Sequence, residues 1–118
     1  QCNVKILVIV NESPWGGSLG LTALRMARAL AASGSLLAGI YFRNDGVYHA
    51  IQGQRSDSGT PDLHDAWLDL ARRNDVPLLL CSSAVQRRFP ASPGRGFRET
   101  GLAEALALAA DCDRVVTF

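Results

Sequence analysis

The chain has 118 residues, 47% of them hydrophobic and 19% charged, with a formal net charge of +1. That balance excludes a disordered chain and offers no basic stripe for nucleic acid or an anionic membrane surface. The apolar runs, Ile6–Val10 and Leu36–Phe42 among them, fall far short of the ~20 residues that cross a bilayer. No signal peptide is expected, because Lys5 is followed by only a strand-length apolar run and then Asn11-Glu12. The length suits one domain over residues 1–118. The three cysteines have neither C-x-x-C nor zinc-type spacing. Free thiols in a reducing, cytoplasmic setting are therefore expected, with no metal site.

In chain order, strand and helix alternate. Val4–Val10, interrupted only by Lys5, is an aliphatic and β-branched run, as in a strand buried on both faces. Asn11–Gly17 reads as loop, and Ser18 can cap a helix running to about Ala32, which Gly34 ends. Leu36–Phe42 is a second strand, closed by the turn Arg43-Asn44-Asp45-Gly46. Ala50–Gly59 is a polar loop. Thr60 and Pro61 then open a helix whose apolar face is Leu63, Ala66, Trp67, Leu70 and Ala71. Strand Val76–Leu80 delivers Cys81, followed by a short helix Ser82–Phe89. Pro90–Arg98 reads as loop, Thr100 as the cap of helix Gly101–Ala110, and Val115–Phe118 as the last strand.

Strands separated by helices imply right-handed crossovers and a parallel sheet with helices packed on it. Such sheets bind ligands beyond the carboxyl ends of their strands, where Asn11–Gly17, Arg43–Ala50 and Cys81 all fall. A thiol at a strand-to-helix junction lies among free backbone N–H groups, which favour thiolate, the nucleophilic form. The ordinary alternative is a small buried hydrophobe.

Cys81 and Arg87 also have the C-x5-R spacing of tyrosine phosphatases and arsenate reductases. The intervening Ser82-Ser83-Ala84-Val85-Gln86 has no glycine with which to curl around a phosphate. The glycines at 16, 17 and 20 do not form a dinucleotide or Walker fingerprint. Of the two histidines, His64 reads as a solvated surface residue beside Asp65. His49, at the functional edge, is the better candidate partner for Cys81. Cys112 reads as core. Arg87 and Arg88 are candidates for electrostatic support of the thiolate, or simply for offsetting a helix dipole.

Several blocks together resemble the DsrE/TusD family of small sulfurtransferase subunits. They are Val4–Val10, the stretch Tyr41-Phe42-Arg43-Asn44-Asp45-Gly46-Val47-Tyr48-His49-Ala50, Leu80-Cys81 with Arg87-Arg88, and Cys112-Asp113-Arg114-Val115-Val116-Thr117-Phe118. The resemblance implies a flavodoxin-like three-layer α/β sandwich with a mostly parallel sheet, in agreement with the alternation above. It implies that Cys81 accepts sulfane sulfur as a persulfide from a TusA-like donor and passes it on, without metal or organic cofactor. The route leads toward 2-thiolation of the tRNA wobble uridine or toward sulfur oxidation. It further implies TusB/TusC-like (DsrH/DsrF-like) partners in a hetero-hexamer, with a homo-oligomer as the alternative and no direct contact with nucleic acid. The segment Phe89–Glu99 is shorter than is usual in the family. A non-catalytic subunit or small-ligand-binding module of the same fold is the competing reading.

Overall fold

The aliphatic runs that read as strands do lie side by side at the centre of the molecule. The computed structural model describes residues 4–12, 19–50, 63–88 and 96–118. The strands are β1 (Lys5–Val10), β2 (Leu36–Phe42), β3 (Leu78–Cys81), β4 (Phe97–Thr100) and β5 (Arg114–Thr117). The helices are α1 (Leu19–Ala32), α2 (Leu63–Asn74), α3 (Ser82–Arg88) and α4 (Leu102–Ala110), and a 3₁₀ segment covers Asn44–Ala50. The five strands form one sheet in the order β4-β3-β2-β1-β5, and every pairing is parallel. The three-layer α/β architecture expected from the sequence is thus present. The crossovers step in one direction from β1 to β4 and reverse only for β5.

That order makes the two faces of the sheet unequal. On one face α1, α2 and α3 cover a large core that includes Val8, Val10, Leu24, Phe42, Trp67, Leu80 and Val85. On the other, α4 covers a thin layer of Leu7, Tyr41, Leu79 and Ala105. In the thick core the Phe42 and Trp67 rings meet edge to face at 5.3 Å, a favourable aromatic geometry. Truncating Trp67 to alanine would cost about 3–5 kcal/mol.

Local chemistry fixes the ends. Gly34 takes a φ of +90°, and the Ser35 N–H reaches back to the Leu30 carbonyl at 3.1 Å. This is the helix-ending glycine motif expected there. Asp113 accepts a hydrogen bond from the Lys5 N–H at 2.9 Å, and its own N–H donates to the Lys5 carbonyl at 2.8 Å. With the Lys5–Asp111 ion pair, these contacts align β5 with the start of β1. At the opposite end of β1, a Cβ on Gly46 would lie 2.0 Å from the Val10 carbonyl oxygen. Only glycine lets the 3₁₀ segment dock there.

Two expectations need correction. Pro90–Arg98 is not all loop: β4 begins at Phe97 and ends at Thr100, so Thr100 is a strand residue. Gly101 occupies the N-cap of α4, with no side-chain cap. A four-residue edge strand with exposed Arg98 and Glu99 carries too little apolar alternation to be recognised. The second correction follows from the first. His64 is not solvated but 3% exposed, with its ring stacked on Phe97 of β4 at 5.6 Å. The strand missing from the sequence reading is the one that covers it. Ser18, Thr60, Pro61, the loop after Ala50 and most of Phe89–Glu99 lie outside the described residues.

Candidate active site

Cys81 is the last residue of β3, and α3 begins at the next position. The all-aliphatic Leu78-Leu79-Leu80 run buries the strand, and the chain turns into helix where that run ends. Cys81 is half-buried and touches both cores. Burial alone would raise its pKa. The Ala84 N–H, the Tyr41 hydroxyl, the Ser83 N–H and the Arg43 charge outweigh it, and the thiol lies below its ordinary value. Thiolate is therefore favoured, as nucleophilic sulfur chemistry requires.

Tyr41 and Arg43 were not singled out in the sequence. Both come from β2, which pairs with β3 so that Tyr41 lies level with Leu79 and Phe42 with Leu80. Arg43, the next residue along, emerges beside Cys81. Burial and the neighbouring Cys81 sulfur push the Tyr41 phenol up to about 12. The two groups shift each other's ionisation, yet the approach is not a well-directed hydrogen bond, and the Tyr41 hydroxyl has no partner that satisfies it.

The expected supporting residues are placed differently. Arg87 is exposed on α3, and the charge acting on the thiol is that of Arg43. The Arg88 side chain lies outside the described residues. His49 is fully buried, and both its ring nitrogens are engaged away from the thiol. The Trp67 Nε1–H donates to His49 Nδ1 at 3.1 Å. Nε2 must then carry the proton, which it donates to the Glu12 carbonyl at 3.0 Å. Burial lowers the His49 pKa to about 4. It is a satisfied core histidine, not a base for Cys81.

The C-x5-R arrangement also fails as a phosphate cradle, because the residues between Cys81 and Arg87 are wound into α3. Cys112 packs against the thin core, and its thiol donates to the Leu108 carbonyl at 3.2 Å. An open cavity of about 530 Å³ lies between α4 and the amino ends of β2 and β3, lined by Ala38, Pro77, Arg98 and Glu104 among others. It is at the wrong end of the sheet to serve the thiol. Among the described residues no cluster of histidine, cysteine and carboxylate could hold a metal ion, and no helix is long and apolar enough to cross a membrane.

Known proteins agree with this arrangement. The crystal structure of the ychN protein from E. coli superposes with a TM-score of 0.85, covering 98% of this chain and 99% of that one, at 24% identity. That likeness concerns the fold. A protein of Cronobacter sakazakii named Sulfurtransferase TusD is 33% identical, with 98% of this chain and all of the relative aligned. A protein of the same name from Sodalis glossinidius is 31% identical over 94% of this chain and 95% of its own length. The model of the DsrE/DsrF-like family matches residues 4–118. The chain belongs to the DsrE/DsrF-like family, and both of these relatives are named as sulfurtransferases.

Proposed function

We infer that this chain is a sulfur-relay sulfurtransferase whose carrier is Cys81. The observation that carries this reading is the setting of the thiol: at the carboxyl edge of the sheet, half-buried, and biased toward thiolate by the Ala84 N–H, Tyr41 and Arg43. Loading is attack by the Cys81 thiolate on the outer sulfur of a donor persulfide. The donor's S–S bond breaks, its inner sulfur leaves as thiolate, and Cys81 keeps the sulfane sulfur as a persulfide. No net oxidation occurs, and no general base is required once the thiol is ionised. His49, whose nitrogens are engaged in the core, has no part in this reading.

The donor is a small TusA-like protein, and the route runs to tRNA wobble-uridine thiolation or to sulfur oxidation, in the cytoplasm. Leu102 and Leu106 on α4 and Val115 on β5 are large apolar side chains left exposed. These support association with TusB/TusC-like subunits or with further copies of the chain.

The test is intact-mass analysis after incubation with a cysteine desulfurase, cysteine and a TusA-like donor. The expected result is a gain of about 32 Da, one sulfur, that vanishes with reductant and is absent from Cys81→Ser. Sulfur appearing instead on Cys2 or Cys112 would remove Cys81 from the role.

A further inference from the structure

Among the described residues, the buried side-chain polar atoms without a hydrogen-bond partner are the hydroxyls of Tyr41 and Thr100. Both residues are almost completely enclosed, at 2% and 1% exposure. They are not scattered through the fold. β2 and β4 are the strands on either side of β3. Thr100 is the register partner of Cys81, and Tyr41 is the partner of Leu79, one pleat earlier. Residues level with one another across a sheet share a face, as do alternate residues along a strand. Tyr41, Leu79, Cys81 and Thr100 therefore all belong to the face that α4 covers. A buried hydroxyl without a partner weakens a fold, and such groups in native proteins call for an explanation.

We propose that these hydroxyls are donors reserved for sulfur bound at Cys81: Tyr41 donates to the Cys81 sulfur when it bears negative charge, and Thr100 to the outer sulfur of the persulfide. The proposal rests on the reading of Cys81 as sulfur carrier. In the discharge step an acceptor thiolate attacks the outer sulfur and a new S–S bond forms. The Cys81–sulfur bond breaks, and its electron pair stays on the Cys81 sulfur, which leaves as thiolate. A stabilised thiolate is the better leaving group, and the charge appears where the Tyr41 hydroxyl can receive it. Neither hydroxyl gives up its proton. With its pKa pushed up to about 12, Tyr41 stays a donor throughout the neutral range. Both are positioning residues that act on the reacting sulfurs without exchanging a bond with them.

Tyr41→Phe and Thr100→Val delete the hydroxyls while keeping nearly all of each side chain's volume. Because neither hydroxyl has a partner while Cys81 is a thiol, both variants should melt at or above the wild-type temperature at mildly acid pH, where the thiol is protonated. The thiol is read by iodoacetamide alkylation against pH, with Cys2 and Cys112 changed to serine throughout. Tyr41→Phe should move the midpoint upward and slow alkylation at pH 7 severalfold. Above both midpoints its rate should equal or exceed that of the parent, since a more basic thiolate is the stronger nucleophile. A damaged fold would instead slow alkylation at every pH. Thr100→Val should leave that profile in place but lower severalfold the fraction loaded by glutathione persulfide. Superposable profiles for Tyr41→Phe, unchanged loading for Thr100→Val, or lower melting temperatures in both at mildly acid pH would overturn the proposal. If the parent protein takes no sulfur from glutathione persulfide, the carrier reading fails instead, and the alkylation profile still decides the Tyr41 assignment.

Discussion

Cys81 and Cys112 are both half-buried, both pack against the thin core and both sit near a helix end, yet the protein treats them oppositely. Burial raises the pKa of each. At Cys81 the Ala84 N–H, the Tyr41 hydroxyl, the Ser83 N–H and Arg43 reverse that effect. At Cys112 burial prevails: Lys5 opposes it, Asp111 and Asp113 add to it, and the thiol is held above its ordinary value. Its sulfur is itself a donor, to the Leu108 carbonyl. A sulfur facing donors is prepared to ionise, whereas one facing an acceptor is kept as thiol. His49 extends the comparison. It is buried more deeply than either cysteine, and a single carbonyl partner at Glu12 does not offset the loss of water, so it is held neutral. The partners around a group, more than its depth, decide its charge.

The sharpest break of the comparison is to remove each sulfur in turn. Cys81→Ser should abolish sulfur loading, and Cys112→Ser should leave it intact, both read by intact mass. Loading that survives in Cys81→Ser would sink the assignment. The next largest effect belongs to His49. Its pKa of about 4 in the folded chain lies below the ordinary 6.5, so the unfolded chain binds the proton first. Stability is full above pH 6.5 and is lost as pH falls toward 4, by roughly 3 kcal/mol in all. Urea unfolding from pH 7 to pH 4 should show that slope, and His49→Gln should flatten it while lowering stability at neutral pH. An unchanged slope in the variant would mean that other groups set the acid sensitivity.

The place of Cys81 at a strand-to-helix junction was legible in the sequence, because the Leu78-Leu79-Leu80 run ends there and a helix begins. The three-layer alternation was legible for the same reason: the long central strands β1 and β2 carry strong apolar signals. What could not be read was lateral. Tyr41 looks like any aromatic strand residue until β2 is known to pair with β3, which places it on the face of Leu79 and Cys81. The signal was present as alternation: if Phe42 faces the thick core, Tyr41 must face the other side. Arg43 passed as a turn residue for the same reason, and the sequential spacing from Cys81 drew attention to Arg87 instead. His49 was misplaced because the edge it sits on is defined by backbone, while its ring turns inward to Trp67. The short edge strand β4 was hidden by its charged residues, and His64 was misread along with it.

The comparison sharpens when both thiols are timed in one protein. At pH 7, Cys81 should alkylate faster than Cys112, since its thiol lies below the ordinary value and that of Cys112 above it. Peptide mass mapping of partly alkylated protein gives both rates at once. Equal rates would show that the donors around Cys81 do not govern its ionisation in solution.

The smallest expected effect isolates the one charge in the set. Arg43 stands last among the influences on Cys81 and is exposed, so water and salt screen it. Arg43→Gln should slow alkylation of Cys81 at pH 7 by about twofold at low ionic strength, and the difference should vanish near 1 M salt, where the screening length is about 3 Å. Arg87→Gln, on the exposed side of α3, should have no such effect. The contrast between the two arginines distinguishes charge at the sheet edge from charge merely close in sequence. If Arg87→Gln slows the thiol and Arg43→Gln does not, then sequence spacing, and not the β2–β3 register, sets the field at Cys81.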